Sequence, residues 1–239
     1  MLARIWNSST RKIKMVYSRV IFEQCNLCTL PCSSWLCEDC FNQLPKLHRP
    51  CQQCGQPGYA PHTCGHCLVA PPPYDRLWVA YEYRTPVDNM IRAWKDRHQP
   101  LPPFHFELTS IISAYEYDVI APIPSHWLRQ LKKGHHPTQQ LAKAIAHSHP
   151  LKPSVKNLLK RHKYTKSQRG LDKQQRQQNL KKAFRVTRPL SVKGKRILLV
   201  DDVITTGATA SSAAHTLLSH GALSVSIACL ARTPELGAQ

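Results

Sequence analysis

Residues 197–209, ILLVDDVITTGAT, set out in order an apolar run, two carboxylates, two free positions and a turn rich in hydroxyls and glycine. Ile197, Leu198, Leu199 and Val200 suit a short strand buried on both faces. Asp201 and Asp202 follow directly. Two adjacent acids cannot help hold a phosphate, but they can accept hydrogen bonds from the vicinal hydroxyls of a sugar or help hold a divalent cation. Thr205, Thr206, Gly207, Ala208 and Thr209 then lead into a predicted helix over 210–220, closed by Gly221. Hydroxyls and open backbone N–H groups at a helix N-terminus surround a phosphate well, and the helix dipole favours the anion. In an open α/β sheet, ligands lie beyond the carboxyl ends of the strands, where this turn falls.

The second chemistry is that of sulfur. Of ten cysteines, eight form four successive C-x-x-C pairs: Cys25 with Cys28, Cys37 with Cys40, Cys51 with Cys54, and Cys64 with Cys67. Two residues between thiolates make a tight knuckle that turns both sulfurs to one ion, and two knuckles complete a closed tetrahedral zinc site. Eight such ligands predict two structural Zn2+ ions in a double zinc ribbon over 21–70. So short a segment, poor in large aliphatics, cannot fold on burial alone, and metal binding supplies folding free energy on the order of 10 kcal/mol per site. Sequential pairing of the knuckles closes the shortest loops. Interleaved pairing stays open, as do iron–sulfur ligation and redox disulfides. Cys32 is left over, His62 and His66 flank Cys64 as substitute ligands, and Cys229 reads as a core thiol in an apolar strand.

Two basic stretches follow. A predicted strand over 117–123 runs into Ser125, Arg129, Lys132, Lys133 and Gly134, a turn suited to a diphosphate. Arg and Lys donate hydrogen bonds without accepting them, and such a turn leaves backbone N–H groups open. A solvated basic loop is the plainer reading of the same residues. Over 161–184, Gln, Lys and Arg dominate and Gly170 interrupts, so the first half is expected to be mobile. Such a segment can close over a multiply charged phosphate and exclude water. It can equally grip a nucleic-acid backbone, through Arg161, Lys163, Lys166, Arg169, Lys173 and Arg176.

The elements that must position these groups alternate between strand and helix. Strands are predicted over 77–83, 117–123, 155–159, 197–200 and 223–230, and helices over 87–98, 106–115, 137–147 and 210–220. The proline-rich break at 70–73 separates an α/β domain over 74–239 from the ribbon segment and from a basic N-terminal segment, 1–20. In that N-terminal segment Leu2, Ile5, Trp6, Ile13, Val16, Tyr17 and Val20 are spaced for one face of a basic helix, suited to a membrane surface or to packing on the zinc module.

A formal charge of +19 exceeds what solubility requires and implies polyanionic partners. Residues 128–196 hold twenty Lys or Arg and one acid, Asp172. No apolar run reaches transmembrane length, and residues 1–21 lack the continuous apolar core of a secretory signal. The expected location is the cytoplasm, with peripheral association at the inner face of the cytoplasmic membrane as a variant of it.

Residues 197–209 resemble the phosphoribosyl pyrophosphate (PRPP) signature of type I phosphoribosyltransferases, with every defined position of the pattern filled. The resemblance implies an α/β fold with a mostly parallel sheet flanked by helices, and Mg2+ accompanying PRPP. It implies a ribose 5′-phosphate on Thr205, Thr206, Gly207, Ala208 and Thr209, and ribose hydroxyls on the catalytic pair Asp201 and Asp202. The turn that carries Arg129 and Lys133 resembles the loop that meets pyrophosphate.

The order of pieces resembles the ComF/GntX proteins over almost the whole chain. Arg161, Thr165, Gln168, Leu171, Arg176, Asn179, Ala183 and Phe184 match that family's pattern, and Tyr83 and Lys95 fall where it has a Tyr and a Lys. One departure stands out: the family commonly has R-G-F-N-Q where this chain has Lys133-Gly134-His135-His136-Pro137, without the Asn and Gln amides at the edge of the site. The family is associated with natural competence and with external DNA as a nutrient.

Two functions of different class are expected from this. In one, the chain binds PRPP and serves competence by handling imported single-stranded DNA, beside a competence protein such as a DNA-translocating helicase or a recombination mediator. In the other it is an active phosphoribosyltransferase of nucleotide salvage, joining PRPP to a nitrogen base with release of pyrophosphate. No element that stacks and hydrogen-bonds a particular base is visible, and the positive charge favours the first.

Overall fold

The computed structural model describes residues 24–58, 63–97, 101–103, 105–124, 136–161 and 183–234. The chain divides into two compact units, Met1–Leu44 and Pro45–Gln239. The proline-rich stretch at 70–73 lies inside the second unit, which therefore holds the second set of four cysteines together with the sheet.

In the first unit the Cys25 N–H donates to the Leu30 carbonyl at 2.8 Å and closes a knuckle bounded by a Gln24–Pro31 bridge. Cys37 then caps the short helix α1 (Glu38–Asn42). The second unit repeats the device with Cys64, which caps α2 (Gly65–Val69). Neither short helix is visible as periodicity. Each is one turn started by the third cysteine of its set.

The second unit continues with β1 (Arg76–Glu82), α3 (Val87–Arg97), α4 (His105–Ile112), β2 (Val119–Pro122) and α5 (Pro137–Ser148). After these come β3 (Ser154–Val155), β4 (Leu159–Arg161), β5 (Phe184–Val186), β6 (Arg196–Ile204), α6 (Ala208–Ser219) and β7 (Ser224–Arg232). The main sheet runs β1-β7-β6-β2-β3, and every neighbouring pair is parallel. This is the expected α/β sheet. β4 and β5 pair antiparallel in a separate ladder.

Alternation along β6 sends Ile197 and Leu199 into the core with Ala210, Ala213, Ala214 and Leu217 of α6. Leu198 and Val200 turn to the opposite face, which α5 covers with the fully buried Leu141 and Ile145. A central strand buried on both faces must be apolar throughout, as this one is up to Val200. Among the described residues no helix is long and apolar enough to cross a membrane.

Three expectations shift. The strand predicted over 155–159 is two pieces: Val155 pairs with Ile120 in the main sheet, while Leu159 pairs with Val186 in the small one. Asn157 is exposed between them, and the buried pair Leu158 and Leu159 does not alternate as one strand requires. β6 runs through the acidic pair to Ile204, because β7 continues alongside and keeps pairing as far as Arg232. The last helix starts at Ala208, so Ala208 and Thr209 form its first turn.

Candidate functional site

The end of β6 presents its two aspartates on opposite sides. Successive strand residues alternate faces, so Asp201 shares the α6 side with Leu199, and Asp202 turns toward α3. There Lys95 Nζ meets Asp202 Oδ2 at 2.5 Å, with the Asp202 side chain 13% exposed. Burial, then the charge of Asp202, pushes the Asp201 carboxyl up to about 8. The N–H of Asp202 and the charges of Lys95 and Arg161 pull the other way. The Asp202 N–H donates to Asp201 Oδ1 at 2.9 Å, and the Val203 N–H to Asp202 Oδ1 at 2.7 Å. Each acid thus has a backbone donor, and the charges of two basic side chains bear on the pair.

Beyond the strand, Asp201, Thr205, Thr206, Gly207, Ala208 and Thr209 line an open hollow. Gly207 takes φ 75°, a left-handed conformation that only glycine adopts without strain. It turns the chain directly into α6, and the Ser211 N–H already bonds the Gly207 carbonyl at 2.8 Å. The first N–H groups of any helix lack an acceptor in the helix itself and carry its positive dipole end. Three threonines, Thr205, Thr206 and Thr209, line the hollow with them, and the Ala208 N–H donates to Thr206 Oγ1 at 3.4 Å. The arrangement suits a phosphate, with one carboxylate at its rim for hydroxyls.

The cysteines gather as two sets in sequential order, Cys25, Cys28, Cys37 and Cys40, and Cys51, Cys54, Cys64 and Cys67. Within each set the ligand sulfurs all lie within 4.8 Å of one another, with Cys28 and Cys37 at 3.7 Å and Cys54 and Cys64 at 3.6 Å. Burial alone raises the Cys25 and Cys51 thiols, but converging backbone N–H groups outweigh it and bring them to about 6 and about 7. Cys40 is pushed up to about 12, chiefly by its hydrogen bond with Cys37. Four thiols this close cannot all ionise alone, whereas a dication lets them, so each set fits a tetrahedral zinc ion. Cys32 donates instead to the Ser34 carbonyl at 2.8 Å, His66 is exposed outside its set, and Cys229 is a core thiol.

Arg161, expected on nucleic acid, stands close enough to the acidic pair to act on the Asp201 carboxyl, with its guanidinium over the Phe184 ring at 5.6 Å. Lys163, Lys166, Arg169, Lys173 and Arg176 lie outside the described residues, as do Arg129, Lys133 and the N-terminal segment 1–20. Two contributors escape the sequence. Arg232, at the end of β7, donates from Nη1 to the Thr205 carbonyl at 2.7 Å. Tyr74 is buried against the loop, its Oη 3.6 Å from where a Cβ on Gly207 would stand. The available signal for Arg232 was a lone charge ending an otherwise uncharged strand.

Residues 132–238 match the phosphoribosyl transferase domain, which fixes the class of the fold. The purine phosphoribosyltransferase of Pyrococcus horikoshii Ot3 aligns at 22% identity and a TM-score of 0.35, over 58% of this chain and 74% of its own. The DNA utilization protein YhgH of Salmonella typhi is 31% identical over 222 residues, 87% of this chain and 96% of the relative. Competence protein F of Haemophilus influenzae is 30% identical over 215 residues, 82% and 90% of the two chains. The chain belongs to the ComF family.

Proposed function

We propose that this protein binds PRPP with Mg2+ at the carboxyl end of β6 and serves competence and DNA utilisation by handling imported single-stranded DNA. One observation carries the first half: the first acid of the pair, Asp201, a left-handed glycine, threonine hydroxyls and a helix N-terminus converge on one hollow, with Asp202 next to it on the strand. The 5′-phosphate rests on Thr205 to Thr209, where N–H and O–H groups donate to it. Asp201 and Asp202 accept from the ribose hydroxyls. Lys95 and Arg161 offset their charge, which would otherwise repel the ligand. Arg129 and Lys133 meet the pyrophosphate end. Mg2+, when bound with PRPP, neutralises part of the diphosphate charge.

The DNA half is supported by the names of the relatives and by the charge of residues 128–196. The match to the phosphoribosyl transferase domain also supports a second reading, transfer itself. In that step the bond from C1′ to pyrophosphate breaks as a nitrogen nucleophile bonds to C1′, and pyrophosphate leaves with the electron pair. The protein's share is to hold the ribose and neutralise charge.

The test is calorimetric titration of the full chain with PRPP and Mg2+, with and without a single-stranded oligonucleotide. Saturable PRPP binding is expected, abolished by Asp201→Ala with Asp202→Ala, while DNA binding persists. An intact protein that takes up no PRPP overturns the reading, and equal loss of DNA in the double variant overturns the separation of sites. Pyrophosphate release on adding nitrogen bases decides transfer.

A further inference from the structure

The second cysteine set and the phosphate loop are joined through one buried cation. Arg232 is 2% exposed, and its backbone is fixed in the sheet, its carbonyl accepting the Tyr83 N–H at 2.7 Å. Its guanidinium reaches the loop at the Thr205 carbonyl. Its methylene stem lies on Gly55, the residue after Cys54. A Cβ on Gly55 would stand 2.9 Å from Leu77 Cδ2, 3.0 Å from Val79 Cγ1 and 3.1 Å from Arg232 Cδ. The knuckle is thus pressed onto β1 and onto the arginine with no room for a methyl group.

That knuckle is held from both ends. Gly55 N–H bonds the Cys51 carbonyl at 2.8 Å, Cys51 N–H the Gln56 carbonyl at 2.7 Å, and Leu77 N–H the Gln52 carbonyl at 2.9 Å. Arg76 donates to Gln52 Oε1 at 2.9 Å. Four thiolates around a dication leave a net negative site, and the stem of a buried cation packs against its knuckle. On the loop side the same guanidinium ties down the Thr205 carbonyl, the first residue of the turn that lines the hollow.

We propose that Arg232 is a positioning residue that couples the Cys51, Cys54, Cys64 and Cys67 metal site to the phosphate loop. Metal in that site sets the Gly55 knuckle, the knuckle sets the arginine stem, and the arginine sets the Thr205 carbonyl. Emptying the site releases the loop and weakens phosphate binding. The inference rests on the reading of Thr205 to Thr209 as a phosphate cradle, and the wild-type titration tests that reading separately.

The experiment measures PRPP affinity with Mg2+ by calorimetry on the full chain, with zinc content and thermal midpoint determined for each variant. Arg232→Gln is expected to keep two zinc ions and lose at least tenfold in PRPP affinity, with Arg232→Lys recovering part of it. Cys54→Ser should lose one zinc and at least tenfold in affinity, whereas Cys28→Ser loses one zinc and stays within about twofold of wild type. Hydrogen exchange provides the check where Cys54→Ser is destabilised: amides 205–209 exchange faster while the core strand amides 198–200 stay protected. Wild-type affinity in zinc-loaded Arg232→Gln, equal effects of the two cysteine variants, or uniform loss of protection overturns the coupling. Absence of PRPP binding by the zinc-loaded wild type overturns the cradle instead.

Discussion

Asp201 sits beside another carboxylate at the end of a strand, and the fold holds its pKa near 8 against an ordinary value of 3.8. Across that window the folded chain keeps a proton that the unfolded chain has released. Its contribution to stability is therefore fully present below the unfolded value and is lost as pH rises toward the folded one. Each pKa unit corresponds to about 1.4 kcal/mol, so the loss is on the order of a few kcal/mol. Asp201→Asn removes the titration. In thermal denaturation from about pH 5 to 9 the variant should show a flatter profile and a higher midpoint than wild type at the alkaline end. Parallel profiles would show that burial does not govern this carboxyl. Lys95 makes the complementary case. Lys95→Met takes away the cation 2.5 Å from Asp202 and is expected to weaken PRPP about tenfold, or about 1.4 kcal/mol, while Lys95→Arg keeps most of the affinity in the same titration.

At the scale of elements, the working unit is β6, the turn and α6. Gly207 at φ 75° is the pivot, and Gly207→Ala should cost about 1 kcal/mol in denaturant unfolding and weaken phosphate binding by rotating the first amides of α6. Loss of stability with unchanged affinity would mean that the turn does not aim those amides. This unit was legible because an apolar run, two acids and T-T-G-x-T each have one local meaning. The two cysteine sets were legible for the same reason, since a C-x-x-C knuckle is closed by its own backbone. Arg232 and Tyr74 were not, because their roles arise from the order β1-β7-β6, which brings residues 55, 77, 205 and 232 together from distant parts of the chain. The length of β6 was hidden likewise. Asp201 and Val203 stay in the sheet only because Cys229 and Ala231 lie beside them, which no local pattern of β6 records.

At the scale of the whole molecule the proposed function asks two things of the formal charge of +19, PRPP binding and DNA binding. The charge of Arg161 bears on Asp201, at the hollow proposed for PRPP, whereas Lys166, Arg169, Lys173 and Arg176 follow it in a segment with one acid, Asp172. A polyanion bound along that segment releases counterions, so its affinity falls with salt by a slope of about 0.7 per phosphate neutralised on a single strand. Reversing those four charges to Glu should therefore lower the salt slope for a single-stranded oligonucleotide by about 3, with PRPP affinity changing much less. Arg161→Ala should do the reverse, weakening PRPP while leaving the DNA slope within about one unit of wild type. Fluorescence anisotropy across a salt series, paired with calorimetry on the same variants, reads both quantities. If Arg161→Ala lowers the DNA slope as the segment variant does, the hollow and the basic segment form one continuous polyanion track, and PRPP must then compete with DNA for it.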